Sequence, residues 1–114
     1  MIKQGLITIM VADMGKAKLF YTQILGMEVK EEYGEDWISL EGYGIRIGLH
    51  PSLAKVEIKG NLSIGFDVID LDKEIENLQK KGISCRVRDE GFLRLAFFND
   101  PDGTPLYFAE NAYS

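Results

Sequence analysis

His50 is the only histidine in this chain and Cys85 the only cysteine, so acid–base, nucleophilic or metal chemistry must draw on a short stock. A lone cysteine forms no intrachain disulfide, and in a strand-like run it reads as packing rather than as an activated thiolate. His50 stands just ahead of Pro51 at a strand end, where an imidazole serves as a ligand, as a general base or as a group facing water. No second histidine completes a transition-metal site, and no Ser-His-Asp or Cys-His order is convincing. "GYGIRIG" carries glycines of phosphate-loop type, yet it leads into a strand, so no helix N-terminus waits for a phosphate. What the chain does own is aromatic and guanidinium chemistry. Trp37, Phe98 and Tyr107 can stack on a ligand, and Arg46 and Arg94 can either receive an anion or neutralise Glu41 and Asp67. Trp37 equally suits a subunit interface, and Tyr107 equally suits plain strand packing.

The elements that must position these groups are written twice. "GLITIMVADMGKAKLFYTQILG" runs parallel to "NLSIGFDVIDLDKEIENLQKKG": a strand-like alternation, then Asp, then a helical pattern, then Gly. Asp13 and Asp70 suit N-caps, and Gly26 and Gly82 suit helix ends. Ala17, Phe20, Tyr21, Ile24 and Leu25 form one helical stripe, and Leu71, Ile75 and Leu78 a thinner one. Three strand candidates follow each helix: about 28–33, 36–41 and 45–50, then 84–88, 92–98 and 105–109. Asp100-Pro101-Asp102-Gly103 is a type I turn signal. Each half therefore reads β-α-β-β-β. Glu35-Asp36 and Asp70-Leu71-Asp72 fit turn and cap duties.

Period two sorts the strands into faces. Ile7, Ile9, Val11, Ile45, Ile47 and Leu49 are expected under the first helix. Ile64, Phe66, Val68, Leu106 and Phe108 are expected under the second. The opposite faces are mixed, with Trp37, Ser39 and Glu41 beside Arg46, Gly48 and His50 in one half. In the other half the expected set is Gly65 and Asp67, then Arg94, Ala96 and Phe98, then Tyr107 and Ala109. Mixed surfaces of this kind line ligand clefts.

Size and charge narrow the classes further. With 114 residues, 46% of them apolar, the chain makes one compact domain with a modest core. A net charge of −5 without a basic stripe argues against nucleic acid. No run approaches the roughly 20 apolar residues of a membrane span, so a cytoplasmic protein is expected.

"VADMGKAKLFYTQILGMEV", "GFDVIDLDKEIENLQKKGI" and "DPDGTPLYFAE" together resemble the glyoxalase/bleomycin-resistance/dioxygenase superfamily, the vicinal oxygen chelate proteins. The resemblance covers nearly the whole chain. It implies an α+β domain of two βαβββ modules, about 1–52 and 60–114, whose sheets curl into a cup with helices outside, in a homodimer. Metal-dependent relatives bind a divalent ion through four strand positions, which fall here on Leu6, Gly48, Ser63 and Tyr107. None is the family's His, Glu or Gln. Leu and Gly offer no donor, a serine hydroxyl is a weak ligand, and tyrosine must first lose a proton with a pKa of about 10.

The expected function is therefore small-molecule binding without a metal or other cofactor, in the manner of bleomycin-resistance proteins. The ligand contacts expected are Trp37, Arg46, His50, Asp67, Arg94, Phe98 and Tyr107. The alternative is a glyoxalase-like lyase or isomerase, or a dioxygenase-type enzyme, with a shifted or absent metal site built around His50.

Overall fold

The structure, a computed structural model, describes residues 1–52 and 62–111. The chain divides into two compact units, Met1–Glu57 and Ile58–Ser114. The join expected between about 52 and 60 lies outside the described residues. The first unit runs β1 (Ile7–Val11), α1 (Met14–Leu19) continued by a π-helical turn (Phe20–Ile24), β2 (Glu28–Tyr33), β3 (Trp37–Gly42) and β4 (Ile45–Pro51). The second runs β5 (Ile64–Asp67), α2 (Leu71–Lys80), β6 (Arg86–Asp89), β7 (Leu93–Asn99) and β8 (Pro105–Asn111). Each is a βαβββ module of the expected α+β class. The strand orders are β1-β4-β3-β2 and β5-β8-β7-β6. In each sheet the first strand lies parallel to the last and the other neighbours are antiparallel. Among the described residues no helix is long and apolar enough to cross a membrane.

The helix boundaries follow from local chemistry. Asp13 and Asp70 sit in extended backbone and accept hydrogen bonds from the Lys16 and Lys73 amides at 3.0 and 3.2 Å, satisfying N–H groups that no helical carbonyl can reach. Glu110 of β8 adds a carboxylate that accepts from the Leu71 amide at 2.7 Å, tying the start of α2 to its own sheet. Gly26 and Gly82 end the helices at φ of 81° and 82°, a left-handed conformation that costs glycine little. The first helix departs from a plain α pattern. The Thr22 hydroxyl donates to the Lys18 carbonyl at 2.6 Å, competing with the backbone for that acceptor. The chain widens, and the Leu25 amide donates to the Phe20 carbonyl at 3.1 Å, a π-type bond. Ala17, Phe20, Tyr21 and Leu25 of the expected stripe are buried, while the wider turn leaves Ile24 half-buried. The Tyr43 hydroxyl, carried on a residue at φ 56°, closes this end by donating to the Leu25 carbonyl.

Each helix covers one face of its own sheet. Under α1 lie Ile9, Val11, Ile38, Leu40, Ile47 and Leu49, all 5% exposed or less. On the second sheet Ile64, Phe66, Phe98, Leu106 and Phe108 are buried with Leu71 and Leu78 of α2, and the Phe98 and Phe108 rings stand 4.8 Å apart. Ile7 and Val68, expected in these cores, are exposed and half-buried. The β7–β8 connection is set by Asp100, which is 5% exposed and whose carboxylate accepts from the amides of Asp102 and Thr104 at 2.9 and 2.8 Å. Such charge-assisted bonds contribute about 1.5–3 kcal/mol each. Asp100→Ala is expected to lower unfolding free energy by about 2 kcal/mol or more, read by urea denaturation, and Asp100→Asn, which keeps an acceptor, to recover most of it. Equal losses for both variants contradict this account of the turn.

Candidate functional site

The functional question lies on the sheet faces turned away from the helices. In the first unit the register Ile38↔Leu49, Ser39↔Gly48 and Glu41↔Arg46 puts Trp37, Ser39, Glu41, Arg46, Gly48 and His50 on one face, as the sequence implied. The Trp37 ring occupies the space a side chain at Gly48 would take. A Cβ built on Gly48 stands 2.2 Å from Cη2 of Trp37, 2.6 Å from Cζ2 and 3.0 Å from Cδ1 of Leu6. The indole therefore reaches from its own row into the neighbouring Ser39–Gly48 row. Ser39 is 8% exposed and, among the described residues, its buried hydroxyl has no hydrogen-bond partner. Leaving a hydroxyl unsatisfied costs about 1–3 kcal/mol. Taking one indole face of about 100 Å² out of water returns about 2.5 kcal/mol. The two nearly balance, and the glycine's part is to leave the space that the ring occupies.

The polar groups around Trp37 are less available than their residue types suggest. Arg46 forms an ion pair with Glu41 at 3.2 Å, the neutralising role anticipated for it. His50 is exposed, its Nδ1 lies 2.9 Å from the Pro51 carbonyl oxygen, and its ring meets Trp37 at 6.5 Å and 66°. Glu41 belongs with Arg46, four residues and about 13 Å along the strand from His50.

In the second unit the register corrects two expected site residues. Phe97↔Tyr107, Ala96↔Phe108 and Arg94↔Glu110 are directly opposed, and opposed residues share a face. Phe98 therefore lies on the helix side, 3% exposed against Phe108, and is not part of an aromatic lining with Tyr107. Arg94 also lies there. It donates to both Asp72 carboxylate oxygens at 2.9 and 3.3 Å and stands 3.5 Å from Asp89 and 3.9 Å from Glu110. The Arg94 guanidinium holds the Asp72 carboxyl below its usual value, and Asp72 in turn raises Arg94. This arginine clamps α2 to the sheet and does not answer Asp67. Asp67 does share the Tyr107 face, in register with Ala109, and is exposed.

The residues that join Tyr107 are ones the sequence reading missed. Arg86↔Phe97, Phe97↔Tyr107 and Gly65↔Tyr107 form one row across β6, β7, β8 and β5. The Tyr107 ring lies over Gly65, with Cζ 2.0 Å from a Cβ built there. Phe97 and Tyr107 rings are 6.1 Å apart, and the Arg86 guanidinium carbon stands 5.4 Å from the Phe97 centroid. Counting equally outward from the turn Asp100–Gly103 would bring Ala96 opposite Tyr107; the observed Asn99↔Pro105 pairing shifts the register by one residue and puts Phe97 there instead. Cys85, as expected, is a half-buried free thiol that burial pushes up.

The profile of the Glyoxalase/Bleomycin resistance protein/Dioxygenase superfamily matches residues 3–108. The chain belongs to this superfamily. It is 33% identical to the YaeR protein of Escherichia coli (strain K12) over 91% of this chain and 92% of that one. A glyoxalase family protein of Enterococcus faecalis superposes with a TM-score of 0.76 at 27% identity, covering 95% of this chain and 97% of that one. The fosfomycin resistance protein FosX of Listeria monocytogenes reaches 0.79 at 20% identity over 97% and 94%, a likeness of fold. The superfamily's metal positions can now be tested for fit. Leu6 and Gly48 carry no donor, and the space above Gly48 is filled by the indole. Ser63 is exposed ahead of β5, and Tyr107 is a phenol laid on glycine. This donor set does not fit a divalent ion.

A cleft of about 490 Å³ in the first unit is lined by Asp13, Lys18, Glu32 and Glu35 among others. Asp13 is engaged as a cap and Lys18 pairs with Glu32 at 2.9 Å.

Because a methyl group at Gly48 cannot coexist with the seated ring, Gly48→Ala is expected to displace Trp37. It should shift emission of the sole tryptophan to longer wavelength and cost about 1–3 kcal/mol of stability. Unchanged emission would show that the ring does not rest on Gly48.

Proposed function

We propose that this protein binds a small organic molecule on its aromatic sheet faces and holds it without chemical change. It would act as a homodimer and without the divalent ion of its metal-dependent relatives. The observation that carries this reading is the seating of Trp37 over Gly48 and of Tyr107 over Gly65. At Gly48 and Tyr107, two positions where the resemblance puts the relatives' ligand atoms, this chain has an aromatic ring in place of a donor. Stacking and apolar burial give affinity without a Lewis acid. Arg46 with Glu41, His50 beside Trp37, and Asp67 near Tyr107 would orient polar parts of the ligand. The superfamily includes binders as well as enzymes, and fold alone does not choose between them; the poor donor set at the four strand positions supports the binding reading.

Because Trp37 is the only tryptophan, its emission reports on the first face directly. Titration with a panel of aromatic metabolites and antibiotics is expected to give at least one saturable change in emission with a matching rise in Tm. The compound should be recovered unchanged, and its affinity should survive exhaustive chelation. Turnover of the compound, or affinity lost to chelator and restored by a divalent ion, overturns the proposal.

A further inference from the structure

We infer that the second unit's sheet face selects planar organic acids, with Arg86 receiving the carboxylate and Phe97 and Tyr107 receiving the ring system. This rests on the small-molecule-binding reading above and narrows it to a ligand class. The four residues of the row are consecutive neighbours across four strands: Arg86, Phe97, Tyr107 and Gly65. The charge and the flat apolar surface are thus presented side by side on one face. The arginines nearest in sequence are engaged, Arg88 with Glu90 at 2.7 Å and Arg94 with Asp72 at 2.9 Å. Arg86 makes no ion pair with a described residue. It is exposed, and what it touches is the Phe97 ring, with its guanidinium carbon 5.4 Å from the centroid.

A guanidinium packed against an aromatic ring is held in place while N–H donors at its edge remain available. A carboxylate satisfies two such donors at once. Arg86 repels a cation placed beside it and finds no acceptor of matching charge on a neutral ligand, while the exposed Asp67 lies at the far side of Tyr107, in register with Ala109. Length narrows the class again. From Arg86 to Tyr107 the row crosses two inter-strand steps, about 10 Å, so a two-ring acid spans it and a short aliphatic acid does not. Tyr107 completes the platform because Gly65 lets its ring lie down. The chain's net charge of −5 repels anions at long range, so selection for them must come from this local contact.

Three probes of one shape separate the contributions: 2-naphthoate, 2-naphthylmethanol and 2-naphthylmethylammonium, each titrated calorimetrically into the full-length protein. Naphthoate is expected to bind about tenfold or more tightly than the other two, the scale of one charge-assisted contact. Arg86→Gln, at an exposed position, should bring naphthoate down to the affinity of the alcohol, and Arg86→Lys should recover part of the loss. Equal binding of all three probes, indifference of naphthoate to Arg86→Gln, or no naphthoate binding overturns the inference. If the neutral or cationic probe binds and Arg86→Gln changes nothing, selectivity for acids fails while the binding reading stands. Silence of all three probes and of the wider panel removes both.

Discussion

A ring can enter the space directly above a strand where a glycine leaves out the Cβ, and this protein meets that condition twice. Trp37 rests on Gly48 and Tyr107 on Gly65, with the absent Cβ positions 2.2 and 2.0 Å from ring atoms. Any larger residue at either glycine would lift the ring. The consequence is chemical as well as steric. By the superfamily resemblance, Gly48 and Tyr107 fall at two of the positions from which metal-dependent relatives coordinate their ion. The same choice of residues that removes donors there therefore supplies a stacking surface.

The two modules place different groups on one scaffold. Thr8 and Gly48 are opposed in the first sheet as Gly65 and Tyr107 are in the second, so the pairs hold matching places in the duplicated fold. In the second module the ring belongs to the row itself, on β8, and the glycine is on β5. In the first the glycine is on β4, and the ring comes from the next row of β3. In the first module Ser39, opposite Gly48, is buried with its hydroxyl unsatisfied among the described residues. The second leaves Phe97 and Arg86 in line with Tyr107. Duplication fixes where the backbone goes, and the side chains then make two unlike surfaces.

Most of the fold was legible in the sequence because its signals are local. The paired aspartate caps, the helix-ending glycines and the Asp100 turn each act within a few residues, and the repeat let one half check the other. The first sheet's faces were also legible, since Ile45, Ile47 and Leu49 alternate with Arg46, Gly48 and His50. In β7 the alternation fails as a guide. Leu93, Leu95 and Phe97 are as apolar as Ala96 and Phe98, so both faces of "LRLAFF" look like core. Arg94 looked like a site residue because its partners, Asp72, Asp89 and Glu110, come from three other elements. The π-helical turn was hidden for a similar reason, depending on one threonine hydroxyl turning back to a carbonyl. Arg86 and Phe97 had no motif to announce them; only strand register brings them to Tyr107.

The claim on which this account rests is that aromatic rings seated on glycine have replaced metal coordination. The direct measurement is a crystal structure grown with excess Mn²⁺ and examined by anomalous diffraction. The account predicts the Trp37 ring over Gly48, the Tyr107 ring over Gly65 and no anomalous peak bonded to Ser63 or Tyr107. An ordered cation held by those side chains, with the rings swung away from their glycines, would contradict it.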